Sequence, residues 1–368
     1  MDKIRIGIIG GGRIFHRNHA PYYHEPTRRG DVVAVADIDE TIAHETANKF
    51  DANAYTDYRK LLDRKDIEAV DIATQPNLHR EIVIAAAEAG KHILVEKPMC
   101  LTIIEADEMI EAANNAGVRL HVAYHLRWAP QFEKMKQLVE SGVLGTLQLA
   151  YSNEVNYLGP LKSPTSPFRT DFLKQETGGM LLNQGIHLLD LWMWTYGPVE
   201  TVYGYASHMP LRNNYPKPDE AAENNVALTV HFKKGGIGLL VKSWVAEVRP
   251  SSEEGMVGSN GSATISGDLL RWKTHDMSEP EEQVTVAPEN DMYRNMSPEE
   301  RPRRYWDAAS KGASINHWLA CIAGDEEPTT DAYSGRAGVE LVEAVHQSAS
   351  NNTIVSLPLC GVASRPNS

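Results

Sequence analysis

The sequence predicts an α/β protein of two domains, and three observations carry that prediction. Up to about residue 124, short β-branched strands alternate with helical periods, the pattern of a parallel sheet flanked by helices. After Arg127 the texture turns β-rich, and Leu147 to Ser152 alternates as strands do when one face is buried. At 368 residues the chain also exceeds the size at which a single core keeps growing. The expected division is 1–124 and 125–368.

Taken in order, Lys3 to Ile9 reads as a first strand that runs into Gly10-Gly11-Gly12, followed by a helix through about Tyr22. Val32 to Asp37 is the second strand and Glu40 to Phe50 its helix. Ala69 to Ala73, His92 to Val95 and Arg119 to Ala123 continue the strands, with Ala-rich helices between them at Glu81 to Ala89 and Ile104 to Ala116. Gly90 and Gly117 stop those helices. The loop Ala73 to His79 enters its helix with Asn77 as the expected cap. Beyond a helix at Pro130 to Ser141, strands are expected at Thr146 to Val155, Val199 to His208, Val226 to Phe232, Ile237 to Val245 and Gly261 to Ser266. A helix from Gly179 to Trp194 interrupts them. Helices at Ile315 to Ala323 and Ser334 to Ser350 precede a last strand near Thr353 to Leu357. The stretches Tyr157 to Glu176 and Asp276 to Arg304 have neither period nor motif.

Composition excludes several classes of function. With 23% charged and 42% hydrophobic residues the chain is an ordinary globular one. No apolar run approaches the roughly 20 residues that span a bilayer, and the N-terminal stretch lacks the length and cleavage site of a signal peptide. Cys100, Cys321 and Cys360 are too few and scattered for a disulfide framework or a thiolate metal site, so a reducing cytoplasm is expected. A formal charge of −13 argues against nucleic acid or an anionic membrane as partner. His16 with His19, and His121 with His125, have suggestive spacing, but no carboxylate or cysteine nearby in sequence completes a ligand set, and no metal is expected.

The chemistry sits in three separated stretches. Strand, Gly10-x-Gly12-x-x-Phe15, helix is the arrangement in which backbone amides hold a pyrophosphate, with Arg13 and Ile14 in the turn. Phe15 stands where the usual third glycine would be. Asp37 ends the second strand about 20 residues later, where a carboxylate binds the adenosine ribose diol and repels a 2′-phosphate. No arginine follows it, so NAD is expected over NADP. Glu96-Lys97-Pro98 follows another strand. Lys97 can aim an ammonium at a reacting hydroxyl and stabilise its alkoxide, with Glu96 orienting it. The third stretch, Gly178 to Asp190, carries His187 as a proton acceptor, with Asn183 and Asp190 on the same helix face. Together these are the equipment for moving a hydride between an alcohol carbon and a nicotinamide. Trp128, Tyr157, Phe168, Trp192, Trp194 and Trp244 are candidates for the core, one or two for a flat wall against sugar C–H faces, and Tyr157 is placed among the substrate contacts.

In this order and spacing the motifs resemble the glucose-fructose oxidoreductase / inositol dehydrogenase / rhizopine catabolism (Gfo/Idh/MocA) family, and the C-terminal run from Ile322 to Pro328 looks like that family's ending. The resemblance implies an N-terminal Rossmann NAD-binding domain and a C-terminal α/β domain whose largely antiparallel open sheet mediates a homodimer or homotetramer. It implies a sugar, cyclitol or sugar-derivative substrate, with Lys97 as the signature lysine and His187 as base. The chemistry of such a site suits a secondary hydroxyl of a sugar, glycoside or cyclitol, the 3-position of a hexose among them. Thr74, Asn77, His79, Glu96, Arg127 and Arg169 become cofactor or pocket contacts. Many members carry Asp where this chain has Asn183, which is neutral and cannot relay a proton but can hydrogen-bond a substrate hydroxyl. Two rival functions stay open, an NAD-retaining glycosidase that oxidises transiently and eliminates the aglycone, and a non-catalytic sugar sensor.

Overall fold

A computed structural model describes residues 3–25, 29–155, 174, 177–209, 221–245, 251–284 and 305–359. They form two compact units. The first comprises residues up to Trp128 and Asp307–Val339, and the second Ala129–Trp306 and Glu340–Val362.

The first unit is built on a parallel sheet of β1 (Ile4–Ile9), β2 (Gly30–Ala36), β3 (Asn53–Tyr55), β4 (Ala69–Ile72), β5 (His92–Val95) and β6 (Leu120–Val122). Their spatial order is 3-2-1-4-5-6, the doubly wound arrangement whose switch point lies between β1 and β4. Its helices are α1 (Arg13–Asn18), α2 (Ala20–Tyr23), α3 (Glu40–Asn48), α4 (Tyr58–Leu62), α5 (Pro76–Glu88) and α6 (Ile103–Ala116). Sequence fixes several ends locally. Thr102 and Glu105 form a reciprocal capping box on α6, and left-handed Gly117 closes it. The strands are apolar on both faces, with Ile6, Ile8, Val35, Val70, Ile72 and Ile93 fully buried.

Two features differ from the sequence expectation. Asn77 does not cap α5; Pro76 is already its first residue and Gln75 holds the cap position without a side-chain bond. Proline's fixed φ suits the first helical position, so the helix starts before Asn77. The single helix expected through Tyr22 is α1 followed directly by α2. The strand β3 and helix α4 are too short to leave a period in the sequence. A third difference is topological. Helix α9 (Tyr305–Ala323) brings Ile315, Trp318 and Leu319 into the first unit's core with Ile6, Phe15 and Val32. A boundary at 124/125 does not contain that return, because local periodicity carries no information on which core a helix joins.

In the second unit α7 (Pro130–Glu140) precedes a nine-stranded sheet of β7 (Leu147–Val155), β8 (Val199–Ser207), β9 (Asn225–Phe232), β10 (Ile237–Ser243), β11 (Ser251–Gly258), β12 (Gly261–Ser266), β13 (Leu269–Thr274), β14 (Glu281–Val284) and β15 (Val355–Ser356). Every pairing is antiparallel except β7 with β10. Helix α8 (Ile186–Tyr196) covers one face, with Trp192 and Tyr196 edge-on to Phe232. Gly238 makes room for the Trp192 ring, which a Cβ would meet at 2.6 Å. The C-terminal part of α10 (Ala332–Asn351) lies against β8, where Ser348 Oγ accepts the Gly204 N–H. Among the described residues no helix is long and apolar enough to cross a membrane.

Candidate active site

The turn after β1 is shaped for close approach. Gly10 has φ +93°, and a Cβ there would lie 2.9 Å from the Ala73 backbone, so no other residue fits. The Gly11 N–H donates to Asp37 Oδ2 at 2.9 Å and the Asp39 N–H to Asp37 Oδ1 at 3.0 Å. The carboxylate at the end of β2 is thereby fixed, and each oxygen keeps a lone pair for another donor. Nothing lies within 4 Å of where a Gly12 Cβ would be. Across the switch point, Thr74 Oγ1 is buried with no hydrogen-bond partner. A fixed diol acceptor, a backbone turn free of side chains and an unsatisfied hydroxyl at the switch point fit a dinucleotide. Arg13 and Asn77 are exposed and Ile14 is half-buried. Phe15 is fully buried and stacked on Tyr23, so it fills space beside the sheet where a glycine would bring helix and strand closer.

His79 is also fully buried. Its ring nitrogens face Pro98 O at 2.9 Å and Thr74 O at 3.2 Å, and burial pushes its pKa down. The side chain ties the Thr74 loop to the turn after Lys97.

That turn is the second part of the site. Lys97 is half-buried at the carboxyl end of β5, and its peptide bond to Pro98 is cis. Glu96 is 6% exposed, and its Oε2 accepts the Lys97 backbone N–H at 2.9 Å. Its Oε1 accepts from Asn18 Nδ2 and faces His19 Nε2, both at 3.1 Å. Burial alone would push the carboxyl up. The hydrogen bond and charge of His19, with the charge of Lys97 and the Asn18 amide, hold it well below the usual carboxylate range. Glu96 is therefore a buried anion. Arg127, expected to touch substrate, is 6% exposed and donates to Thr329 O.

The second unit carries His187. The chain enters its helix through Gly178 and Gly179, at φ +89° and +75°. A Gly179 Cβ would fall 2.2 Å from a Glu223 carboxylate oxygen. That carboxylate accepts the Leu181 N–H at 2.8 Å, so glycine admits the group that caps the helix start. Leu181–Gly185 then form one π-helical turn before α8. Such turns recur at functional sites because they displace side chains from regular spacing. Asn183, 2% exposed, donates from Nδ2 to Thr177 O and Gly179 O, both at 2.7 Å. His187 is half-buried one turn on, and Asp190 is buried. Beneath the helix, fully buried Lys242 pairs with Glu154 along the space that Gly185 leaves, and Trp244 Nε1 donates to Gln184 Oε1 at 3.1 Å. Tyr157, Lys162, Phe168 and Arg169 lie outside the described residues.

Residues 4–124 match the model of an oxidoreductase family with an NAD-binding Rossmann fold, and residues 132–264 match the GFO/IDH/MocA C-terminal domain. A levoglucosan dehydrogenase of Pseudarthrobacter phenanthrenivorans is 30% identical over 65% of this chain and 67% of its own. The chain belongs to the Gfo/Idh/MocA family of NAD-dependent oxidoreductases acting on CH–OH groups. A second relative of this oxidoreductase, D-glucoside 3-dehydrogenase of Escherichia coli K12, is 27% identical over 97% of this chain and 98% of its own. In fold, the family member resembles a levoglucosan dehydrogenase solved with NADH and levoglucosan, with TM-score 0.82 at 24% identity over 97% of this chain and all of that one.

Sequence reasoning missed several residues of the oxidoreductase's site region. Spacing pairs His19 with His16, but His16 Nε2 lies 2.8 Å from Thr46 Oγ1, while His19 lies between Asp71 and Glu96. The available signal was Asp71 itself, a carboxylate inside the apolar strand Ala-Val-Asp-Ile. Glu223 left no signal, since nothing near it in sequence marks a cap for a helix 42 residues earlier.

Proposed function

We propose that this oxidoreductase oxidises a secondary hydroxyl of a sugar, glycoside or cyclitol, with His187 as the base and Lys97 stabilising the alkoxide. Bound NAD supplies the hydride acceptor. His187 takes the hydroxyl proton, a task an imidazole nitrogen performs as general base. Lys97 donates to the same oxygen as negative charge develops. Asn183 acts here as a positioning residue. Its amide protons are committed to two backbone carbonyls, a bond pattern that the Asp of many relatives could not make, so it leaves proton removal to His187. Thr74 and Asp37 contact the cofactor, while Tyr157, Arg127 and Arg169 remain candidates for the pocket.

The observation that carries the reading is the anchoring of Lys97, whose backbone is bonded to a buried, ionised Glu96 at the end of a Rossmann strand. The near-full-length likeness to D-glucoside 3-dehydrogenase supports a ring secondary alcohol. A homodimer or homotetramer belongs to the same reading. The exposed side chains Tyr205, Ile237 and Leu239 on β8 and β10 supply an apolar face for it.

NADH formation against a panel of sugars, sugar acids, inositols and glycosides tests the proposal. Multiple turnover is expected, and Lys97→Ala should lower it by about 10²–10³-fold. Release of aglycone without net NADH would replace the reading with the glycosidase, and oxidation at an anomeric or primary carbon would refute the secondary hydroxyl.

A further inference from the structure

His19 links α1 to α2 and is 2% exposed. Its Nδ1 lies 2.8 and 2.9 Å from the two Asp71 oxygens, and its Nε2 lies 3.1 Å from Glu96 Oε1. Ionised carboxylate oxygens only accept, so both ring nitrogens carry protons and the ring is an imidazolium. Tyr23 Oη donates to Asp71 Oδ2 at 3.0 Å, and the Phe15 ring is edge-on to His19 at 6.4 Å between centroids. Burial pulls the ring down, but the charge and hydrogen bond of Asp71, reinforced by Glu96, raise its pKa to about 10. The facing titratable groups are thus Asp71 from β4, Tyr23 from α2 and Glu96 from the end of β5, with Lys97 beyond Glu96.

This arrangement has a direction. Asp71 is fully buried in β4, which is paired with a strand on either side. It fixes His19, His19 fixes one oxygen of Glu96, and the other oxygen holds the Lys97 backbone N–H. We propose that His19, clamped as an imidazolium by Asp71, is a positioning residue that fixes Glu96 and through it Lys97. The proposal rests on the role assigned to Lys97 above. A deprotonated ring has one N–H for two carboxylates and must release one of them, so alkaline pH loosens Lys97.

Two measurements test it. The first is the NMR spectrum of the ¹⁵N-histidine-labelled protein, with the His19 signals identified by their absence in His19→Asn. Both ring nitrogens should stay protonated at about pH 8, well above the free value near 6.5, and Asp71→Asn should bring deprotonation at least one pH unit lower. A neutral ring at that pH in the folded wild type overturns the proposal without any variant having to fold. The second is the pH profile of NADH formation. Wild-type kcat should fall as pH rises toward about 10, where the ring must release one carboxylate. Asp71→Asn, whose neutral ring can donate to Glu96 and accept from the new amide, should stay within about threefold of its value at about pH 6.5. An unchanged profile with only a lower Tm makes the cluster structural and sinks the idea. Lys97→Ala in the same assay separates the two failures. Full activity there overturns the role of Lys97 itself, whereas loss there with an unshifted Asp71→Asn profile overturns only the positioning by His19.

Discussion

Lys97 stands on a buried cluster of formal charges, whereas the helix that carries His187 is seated by neutral donors, backbone carbonyls and one capping carboxylate. In the first unit His19 lies between the carboxyls of Asp71 and Glu96, all three nearly sealed from water, with the ring's pKa raised by Asp71 and Glu96 and that of Glu96 lowered by His19. Around Asn183 the contacts are an amide with two carbonyls and a backbone N–H with Glu223. A charged cluster holds geometry tightly but only while each partner keeps its proton state, because removing one charge strands another in low dielectric. The Asn183 amide and its two carbonyl partners carry no charge, so those bonds do not depend on pH and do not tolerate an added charge.

That contrast can be broken most strongly at Asn183. Asn183→Asp puts a carboxylate oxygen against Thr177 O and Gly179 O, losing two hydrogen bonds and burying an unpaired acceptor. A loss of about 3 kcal/mol or more in unfolding free energy is expected by denaturant titration at pH 7. The loss should shrink at acid pH, where the protonated carboxyl can donate to one carbonyl, and an undiminished loss would show that charge is not the cause. Gly179→Ala comes next. A left-handed alanine and a displaced Glu223 cap should together cost about 2 kcal/mol, read as a lower Tm.

The last prediction sharpens the comparison through pH alone. His19 has a raised pKa, so its contribution to stability is full below the unfolded value near 6.5 and is lost as pH rises toward about 10. His121 has the opposite sign. Its ring is buried with neither nitrogen hydrogen-bonded, and burial, with the charges of His317 and Arg119, pushes its pKa down to about 3. Folding disfavours its proton, so stability falls as pH drops below 6.5. Thermal unfolding against pH should therefore peak near pH 6.5, with limbs no steeper than about 1.4 kcal/mol per pH unit per group. Asp71→Asn should flatten the alkaline limb and His121→Leu the acid limb. If both variants keep both limbs, the titrating groups lie elsewhere.

The Rossmann half was readable because its signals are local. Glycines at Gly10 and Gly117 mark backbone positions that other residues resist, and Asp37 ends a strand at a fixed distance from the turn. Gly178 and Gly179 mark a special backbone before His187, but not the reason for it, since Glu223 reaches Leu181 across 42 residues of chain that include α8 and β8. Asn77 misled because proline and asparagine compete for the same helix start, and the competition is decided by the backbone.

By itself the sequence determined the alternating strands and helices, the cofactor turn, and the presence of Lys97 and His187 at the ends of recognisable elements, because propensity, period and glycine geometry act over a few residues. Only the tertiary structure decided that helix α9 returns to the first core and that His19 lies between Asp71 and Glu96. The His19 cluster depends on partners brought together across 52 and 77 residues, at Asp71 and Glu96, where burial and not sequence distance sets the strength of a charge.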